Sequence, residues 1–211
     1  MRRPLWVAIY AIAMAAVEAA VVVYLRALHE GVAPASVVQY QLPLRFLTIE
    51  VGREAATLVM LIAVAAIAGR SAWERLLSFA LAFGLWDIFY YVWLWVFIGW
   101  PPSLLTWDVL FLIPVPWLGP VLAPVLVSLS LVGGALWLLS RPDMRPSRRA
   151  WALASVGCAL VLLSFTIDFH YALVRMDPPR FRWEIFLPGI VIGVVGIVWD
   201  KADPSRPRRA G

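Results

Sequence analysis

The sequence predicts an all-α, polytopic integral membrane bundle of about six transmembrane helices, with one short interfacial or re-entrant helix on the outer side. Three observations predict it. Hydrophobic residues make up 63% of the 211-residue chain and charged residues 15%, against about 45–50% and about 25% in soluble domains. With a mean hydropathy of +0.83, the chain has too little polar surface to coat a water-soluble globule. Its apolar residues fall into runs that approach the ~20 residues a helix needs to cross ~30 Å of hydrocarbon. Its basic residues gather at the ends of those runs, where topology places them.

The first run is Leu5–Leu25. The opening "MRRPLWVAIYAIAMAAVEA" also has the form of a signal peptide, but the apolar stretch continues past Glu18 far enough to span, so it is read as a helix. The second and third runs are Leu44–Gly69 and Leu76–Ile98. Next comes "GWPPSLLTWDVLFLIPVPWLGP", in which Pro114, Pro116 and Pro120 forbid one straight helix. Ser103 is read as an N-cap for a short helix over 104–113, followed by a turn at "PVPWLGP" and a fourth span, Pro120–Leu139. Ala150–Tyr171 is the fifth span. Glu184–Trp199 is the sixth, short for an upright crossing. No repeat and no low-complexity linker divides the chain, so residues 1–211 are expected to form a single transmembrane domain.

With six spans, twelve basic residues share one side: Arg2, Arg3, Arg70, Arg75, Arg141, Arg145, Arg148, Arg149, Lys201, Arg206, Arg208 and Arg209. Five, Arg26, Arg45, Arg175, Arg180 and Arg182, share the other, and Arg53 is left inside a span. The positive-inside rule makes both termini cytoplasmic. Lys201 is the only lysine, and the bias to Arg, Ala, Pro and Trp suggests a GC-rich bacterial genome. The expected location is therefore a bacterial inner membrane. The net charge of +5 follows from topology and implies no nucleic-acid partner; membrane lipids are the expected neighbours, with anionic lipid at the arginines a secondary consequence. The lone Cys158 excludes an intramolecular disulfide and any CxxC motif, and is read as a small buried side chain.

Charge inside the spans is the informative signal. Glu54 lies 16 residues before Arg70, about 24 Å along a helix, and so cannot leave the hydrocarbon. By the same measure Glu18 is about 20 Å from Leu5, Asp87 about 18 Å from Arg75 and Asp168 about 28 Å from Arg149. His170, Asp108 and Glu184 fall near the outer boundary. All these groups belong to the outer half of the bilayer. A charge at a helix centre costs about 2.5–3.5 kcal/mol on insertion scales, and such groups normally face the bundle interior and mark function.

Glu50, Arg53, Glu54 and Thr57 share one helix face. Asp87 and Tyr91 stand one turn apart. Asp168 and Tyr171 do too, with His170 rotated away from Asp168. Glu54, Asp87, Glu18 and Tyr91 are the candidate catalytic residues. Glu18, Glu54, Asp87, Asp168 and His170 are the candidate ligands of a divalent metal, whose mixed oxygen and imidazole donors suit iron, manganese or zinc better than copper. The Cys- and His-rich zinc patterns lack ligands. A haem between His29 and His170 is disfavoured, because both histidines sit at span ends.

Plainer readings compete. Glu50, Arg53 and Glu54 equally suit an ion-pair cluster within one helix. Glu18 and Asp87 equally suit bonds to a neighbouring helix, with Tyr90 or Tyr91 able to satisfy Asp87. Asp108 is read as a solvated surface aspartate and Glu184 as a helix-start acid. Most tryptophans fit interfacial belts, although Trp86, Tyr90 and Trp93 could line a lipid or quinone slot. Gly189 and Gly193, extended by Gly196, form a GxxxG face for close helix packing, including that of a partner membrane protein. No nucleotide loop, nucleophile elbow or HExxH motif is present.

The expected function is a carboxylate-rich, cation- or proton-binding pocket. It suits an enzyme acting on a lipid-like substrate, with Glu54 or Asp87 as general acid or base. A small proton-coupled transporter and an accessory subunit of a larger complex are the alternatives, and the sequence leaves open whether the protein is an enzyme.

Overall fold

A computed structural model describes residues 2–28, 44–141, 143–174 and 180–199. Its elements are α1 (Arg2–Leu28), α2 (Leu44–Ala68), α3 (Ala72–Ile98), β1 (Trp107–Phe111), β2 (Trp117–Pro120), α4 (Leu122–Leu139), α5 (Arg148–Thr166), α6 (His170–Leu173) and α7 (Trp183–Trp199). Among the described residues, five helical stretches are long and apolar enough to cross a membrane: Arg3–Ala27, Phe46–Ala68, Ala72–Ile98, Leu122–Leu139 and Arg148–Leu173. The architecture is an all-α helical bundle with one small sheet, and the protein is a multi-pass membrane protein. The sixth expected span, in α7, is apolar but shorter than the other five.

The chain divides into two units, residues 1–142 with 166–181, and residues 143–165 with 182–211. In the first unit, α1 presents a face of small side chains. Ala11, Ala15 and Ala19 are fully buried, and Ala11 and Ala15 share a core with Leu81, Ala82 and Trp86 of α3. Small residues let helix backbones approach closely where lipid offers no hydrophobic drive for association. The approach is close enough for Trp93 Nε1 to donate to the Ile12 carbonyl at 3.1 Å. α3 meets α4 at Gly84, where a Cβ would lie 2.8 Å from the Ser128 carbonyl oxygen and 2.8 Å from Val132 Cγ2.

Local signals fix the ends of α3. Ser71 Oγ accepts from the Glu74 N–H at 3.2 Å, and Gly99 closes the helix in the left-handed conformation at φ 67°, which costs glycine nothing. Arg3 Nη1 donates to the carbonyl of Ala68 at 3.0 Å, a cation at a helix C-terminus. Arg3, Arg70 and Arg75 therefore gather at one end of this unit, called here the arginine end.

The opposite end corrects the expected helix over 104–113. Residues 107–111 and 117–120 form an antiparallel ribbon, with Trp107 opposite Pro120, Asp108 opposite Gly119, Val109 opposite Leu118 and Phe111 opposite Trp117. Leu110 is the extra residue at a bulge. The stretch "WDVLF" is rich in aromatic and branched side chains that suit a pleated surface, and prolines on both sides deny a helix its continuation. Ser103 Oγ accepts from the Leu105 N–H at 3.1 Å within a turn and caps no helix. The fourth span accordingly starts at Leu122, because Pro120 belongs to β2.

The hairpin points into the unit. Phe111 and Trp117, 5.6 Å apart between centroids, pack against the core that holds Ala11, Met14 and Trp86.

In the second unit, α5 and α7 meet through glycine. A Cβ on Gly157 would lie 2.5 Å from the Gly189 carbonyl oxygen and 2.6 Å from the Gly193 nitrogen. Phe165 and Phe186 pack at 5.7 Å beside this contact. The Gly189/Gly193 face packs against Gly157 of the chain's own α5. Cys158, read as buried, is exposed; an apolar thiol suits a hydrocarbon-facing surface as well as a core. The fifth helix stops at Thr166, earlier than expected, and a turn leads to the short α6.

Candidate functional site

The polar groups of the first unit form a layer built from α1, α2, α3, α4 and the hairpin. α2 supplies its charged face, because residues three and four apart are neighbours on a helix. Arg53 Nε donates to Glu50 Oε2 at 3.0 Å, one turn back. Its guanidinium also lies against Glu18 Oε2 of α1. Thr57, one turn further along α2, donates through Oγ1 to Glu18 Oε1 at 2.6 Å. Glu18 has no polar neighbour on its own helix, and its flanking alanines leave room for both α2 groups. It is 5% exposed, with one oxygen hydrogen-bonded to Thr57 and the other in ion-pair contact with Arg53. A charge-assisted contact of this kind is among the stronger hydrogen bonds in proteins.

Glu54 faces the hairpin. Its Oε2 accepts from the backbone N–H of Leu112 at 2.9 Å, and the Arg53 charge lies within electrostatic reach. The ribbon thereby hands one backbone donor to a side chain of α2.

α3 carries the second half of the layer. Asp87 Oδ2 accepts from Ser128 Oγ of α4 at 2.8 Å, just where Gly84 lets the two helices close. Tyr91, one turn on, donates to Asp108 Oδ2 at 3.0 Å. The other oxygen of Asp108 accepts from the Val109 N–H at 2.9 Å. Asp108, expected at a solvated surface, is 3% exposed, because the hairpin folds it inward. Burial pushes its carboxyl up to about 6, with Arg26 foremost among the groups that hold it lower. Arg26 stacks 4.2 Å above the Trp100 ring. Tyr90 stands between the two halves and feels Asp108, Arg26, Arg53 and Glu50 together.

Glu18, Glu54, Asp87 and Tyr91 therefore share one polar layer, although each acid is held by its own partner. Asp168 and His170 face different surroundings from each other. Asp168 is buried in the turn after α5, whereas His170 is exposed and packs at 4.4 Å against Tyr171. Among the described residues, no three His, Cys, Asp or Glu side chains are grouped so as to hold a metal ion. The set Glu18, Glu54, Asp87, Asp168 and His170 thus does not assemble as metal ligands. Glu18, Glu54 and Asp87 are turned toward an arginine, a backbone N–H and a serine, so they do not converge on one centre. His29 lies outside the described residues.

Sequence reasoning singles out neither Ser128 nor the Leu112 N–H, and it places Asp108 outside the site. Ser128 and Ser130 look alike in "VLVSLSLV", but only Ser128 is fully buried; Gly84, three residues before Asp87, is the signal that a second helix comes close there. The Leu112 contact has no side-chain signature at all, since the donor is backbone. No family model, curated protein or solved structure matches the chain.

Proposed function

We propose that the first unit is a proton-handling site in the outer half of a bacterial inner membrane, with the arginine end cytoplasmic. Glu54 and Asp87 are its exchanging acids. Tyr91 and Asp108 extend it toward the hairpin end, and Glu18, fixed by Arg53 and Thr57, sets the local field.

One observation carries the reading. Asp87 sits in the middle of a spanning helix with a hydroxyl as its hydrogen-bond partner, a second acid, Asp108, within electrostatic reach, and no basic ion-pair partner among the described residues. A carboxyl group so placed is neutralised by a proton more readily than by a fixed charge. That is the property general acid–base chemistry and proton coupling both require.

A second observation favours an enzyme acting on a lipid-like substrate. Phe79, Phe83, Trp86 and Tyr90 form a row of ring contacts at 5.9, 5.5 and 6.4 Å along α3, the helix that carries Asp87. Trp86 Nε1 is buried without an acceptor among the described residues, a donor suited to a carbonyl or hydroxyl of such a substrate. In that reading Glu54 or Asp87 is the general acid or base. The accessory-subunit reading has less support, since Arg53 of the chain itself occupies Glu18 and Glu50.

The test is infrared difference spectroscopy on protein in liposomes while the pH is stepped. The expected result is a carboxylic-acid carbonyl band that titrates across the neutral range and is lost in D87N, with a smaller loss in E54Q. A band that persists unchanged in both variants, or no titrating band in the parent protein, overturns the proposal.

A further inference from the structure

The geometry points to a water-filled entrance lined by the β1–β2 hairpin and open at the hairpin end, through which water-borne reactants reach Glu54 and Asp87. The inference rests on the proposed site only for where the entrance leads.

The hairpin lies at membrane depth. Leu112 meets Glu54, which is 14 residues before the end of α2 at Ala68, about 21 Å along the helix. Phe111 and Trp117 pack in the core around Trp86, which is 14 residues after the start of α3 at Ala72, again about 21 Å. The two helices give the same level independently, well inside a core of about 30 Å.

Non-helical backbone at that level needs partners that lipid cannot give. The sheet has two strands, and no third strand lies beside it among the described residues. A two-stranded ribbon turns about half of its backbone groups outward. Part of that demand is met by the sequence itself. Pro114, Pro116 and Pro120 carry no N–H, Glu54 takes the Leu112 donor and Asp108 takes that of Val109. Proline removes donors only. The outward carbonyls remain, and a helix interior has no spare backbone N–H to offer them. Val121 and Leu122 at the start of α4 donate to the carbonyls of Thr106 and Leu104, before the strand begins, and the buried Trp86 indole N–H beside the ribbon can meet one carbonyl at most. Water is the partner that suits the rest.

The charged face of α2 makes the same demand separately. The side chains of Arg53 and Glu50 keep 22% and 13% of their surface accessible. Arg53 is 15 residues before Ala68, about 22 Å along the helix. A charged side chain part-open to lipid at that depth costs up to about 2.5–3.5 kcal/mol or more, whereas one part-open to water costs little. A single aqueous cleft beside the hairpin satisfies the ribbon edges and Arg53 together.

The experiment is thiol labelling in a C158S background, which removes the only native cysteine. Single cysteines are placed at Leu110→Cys on the bulge and Val115→Cys at the hairpin tip, with Ile62→Cys on an exposed apolar face of α2 as the reference. The probe is a membrane-impermeant cationic methanethiosulfonate added to sealed vesicles of known orientation. The expected result is that both hairpin thiols react at least tenfold faster than the reference, and only when the probe is on the side opposite the arginine end. A difference below tenfold, or reaction only from the arginine side, overturns the entrance. So does labelling by a lipid-partitioning maleimide but not by the cationic probe, which is the outcome for lateral entry from lipid. Hydrogen exchange on the unsubstituted protein in nanodiscs guards against misfolded variants: peptides covering 107–120 should exchange faster than those within α3, and equal protection overturns the inference. Labelling that fails while the carboxyl band titrates removes the entrance and leaves the site; labelling without a band removes the site and leaves the entrance.

Discussion

Arg53 serves two acids, and this makes a quantitative prediction. Arg53→Leu strips the cation from both Glu18 and Glu50. Breaking a buried pair from one side costs about 3–5 kcal/mol in water-soluble cores. In membranes the unfolded reference also finds partners, and interhelical hydrogen bonds average about 0.6 kcal/mol with a maximum near 1.7. Glu18 is 5% exposed, so it lies toward the costly end, and a loss of about 3 kcal/mol is expected for Arg53→Leu. Glu18→Leu should cost less, about 1 kcal/mol, because Arg53 keeps Glu50. In the double variant Glu18 no longer needs the cation, so it should be less destabilised than the two single losses summed, with a coupling of about 1–2 kcal/mol. The assay is reversible unfolding in mixed detergent micelles for the parent, both single variants and the double. Additivity within about 0.5 kcal/mol, or a Glu18→Leu loss larger than that of Arg53→Leu, would refute the shared-cation reasoning.

Four further outcomes are expected. Asp108, held up at about 6 against an ordinary value of 3.8, favours the neutral acid in the fold. Its contribution is complete below about pH 4 and lost as pH rises through about 6. The difference is at most about 3 kcal/mol, so Asp108→Asn should flatten the fall in Tm between those values, and an unchanged slope would exclude Asp108 as its source. Gly157→Val places a Cβ 2.5 Å from the Gly189 carbonyl oxygen; it should separate α5 from α7 and abolish the disulfide crosslink expected between Leu153→Cys and Gly196→Cys in the C158S protein, since a Cβ on Gly196 lies against that of Leu153. Gly134→Ala, which meets nothing within 4 Å inside α4, should raise thermal stability slightly, by up to about 1 kcal/mol, and a loss would contradict the open space around it. Ser128→Ala removes the 2.8 Å bond to Asp87 and should cost about 0.6–1.7 kcal/mol, while moving the titration of the carboxyl band; a shift in stability with no spectral change would detach Ser128 from the site.

The spanning helices are legible in the sequence because lipid imposes length and apolarity on each segment separately. The charged face of α2 is legible for a similar reason, since the spacing of Glu50, Arg53, Glu54 and Thr57 needs only helix periodicity. What the spacing cannot give is the partner across helices. Nothing local to Glu18 names Arg53 and Thr57, which lie 35 and 39 positions away. The hairpin is not legible, because a short apolar run between prolines suits a short helix and a strand alike. Asp108 follows from that ambiguity: on a surface helix it is solvated, on an inward ribbon it is buried. The glycine face of α7 is legible as a close-packing surface, but a GxxxG pattern does not say whether the approaching helix belongs to the same chain.

The hairpin and the acids explain one another, and their division of labour ranks the acids. Two carboxyl groups of the layer, Glu54 and Asp108, accept backbone N–H groups of the ribbon, from Leu112 and Val109. Part of the cost of placing acid in the membrane is therefore offset by holding irregular backbone at depth. Asp87 carries no such duty. Its partner is the Ser128 hydroxyl, which can turn to donate or accept and so serves either protonation state of the acid. A protonated Glu54 still offers a carbonyl oxygen to Leu112, so proton loading there leaves the hairpin docked, whereas removal of the acceptor does not. It follows that Glu54→Leu should loosen the ribbon and raise its hydrogen exchange, Glu54→Gln should keep it docked, and Asp87→Asn should silence proton exchange with the ribbon undisturbed. If Asp87→Asn instead frees the hairpin as Glu54→Leu does, the two acids are one structural clamp and the separation of roles collapses.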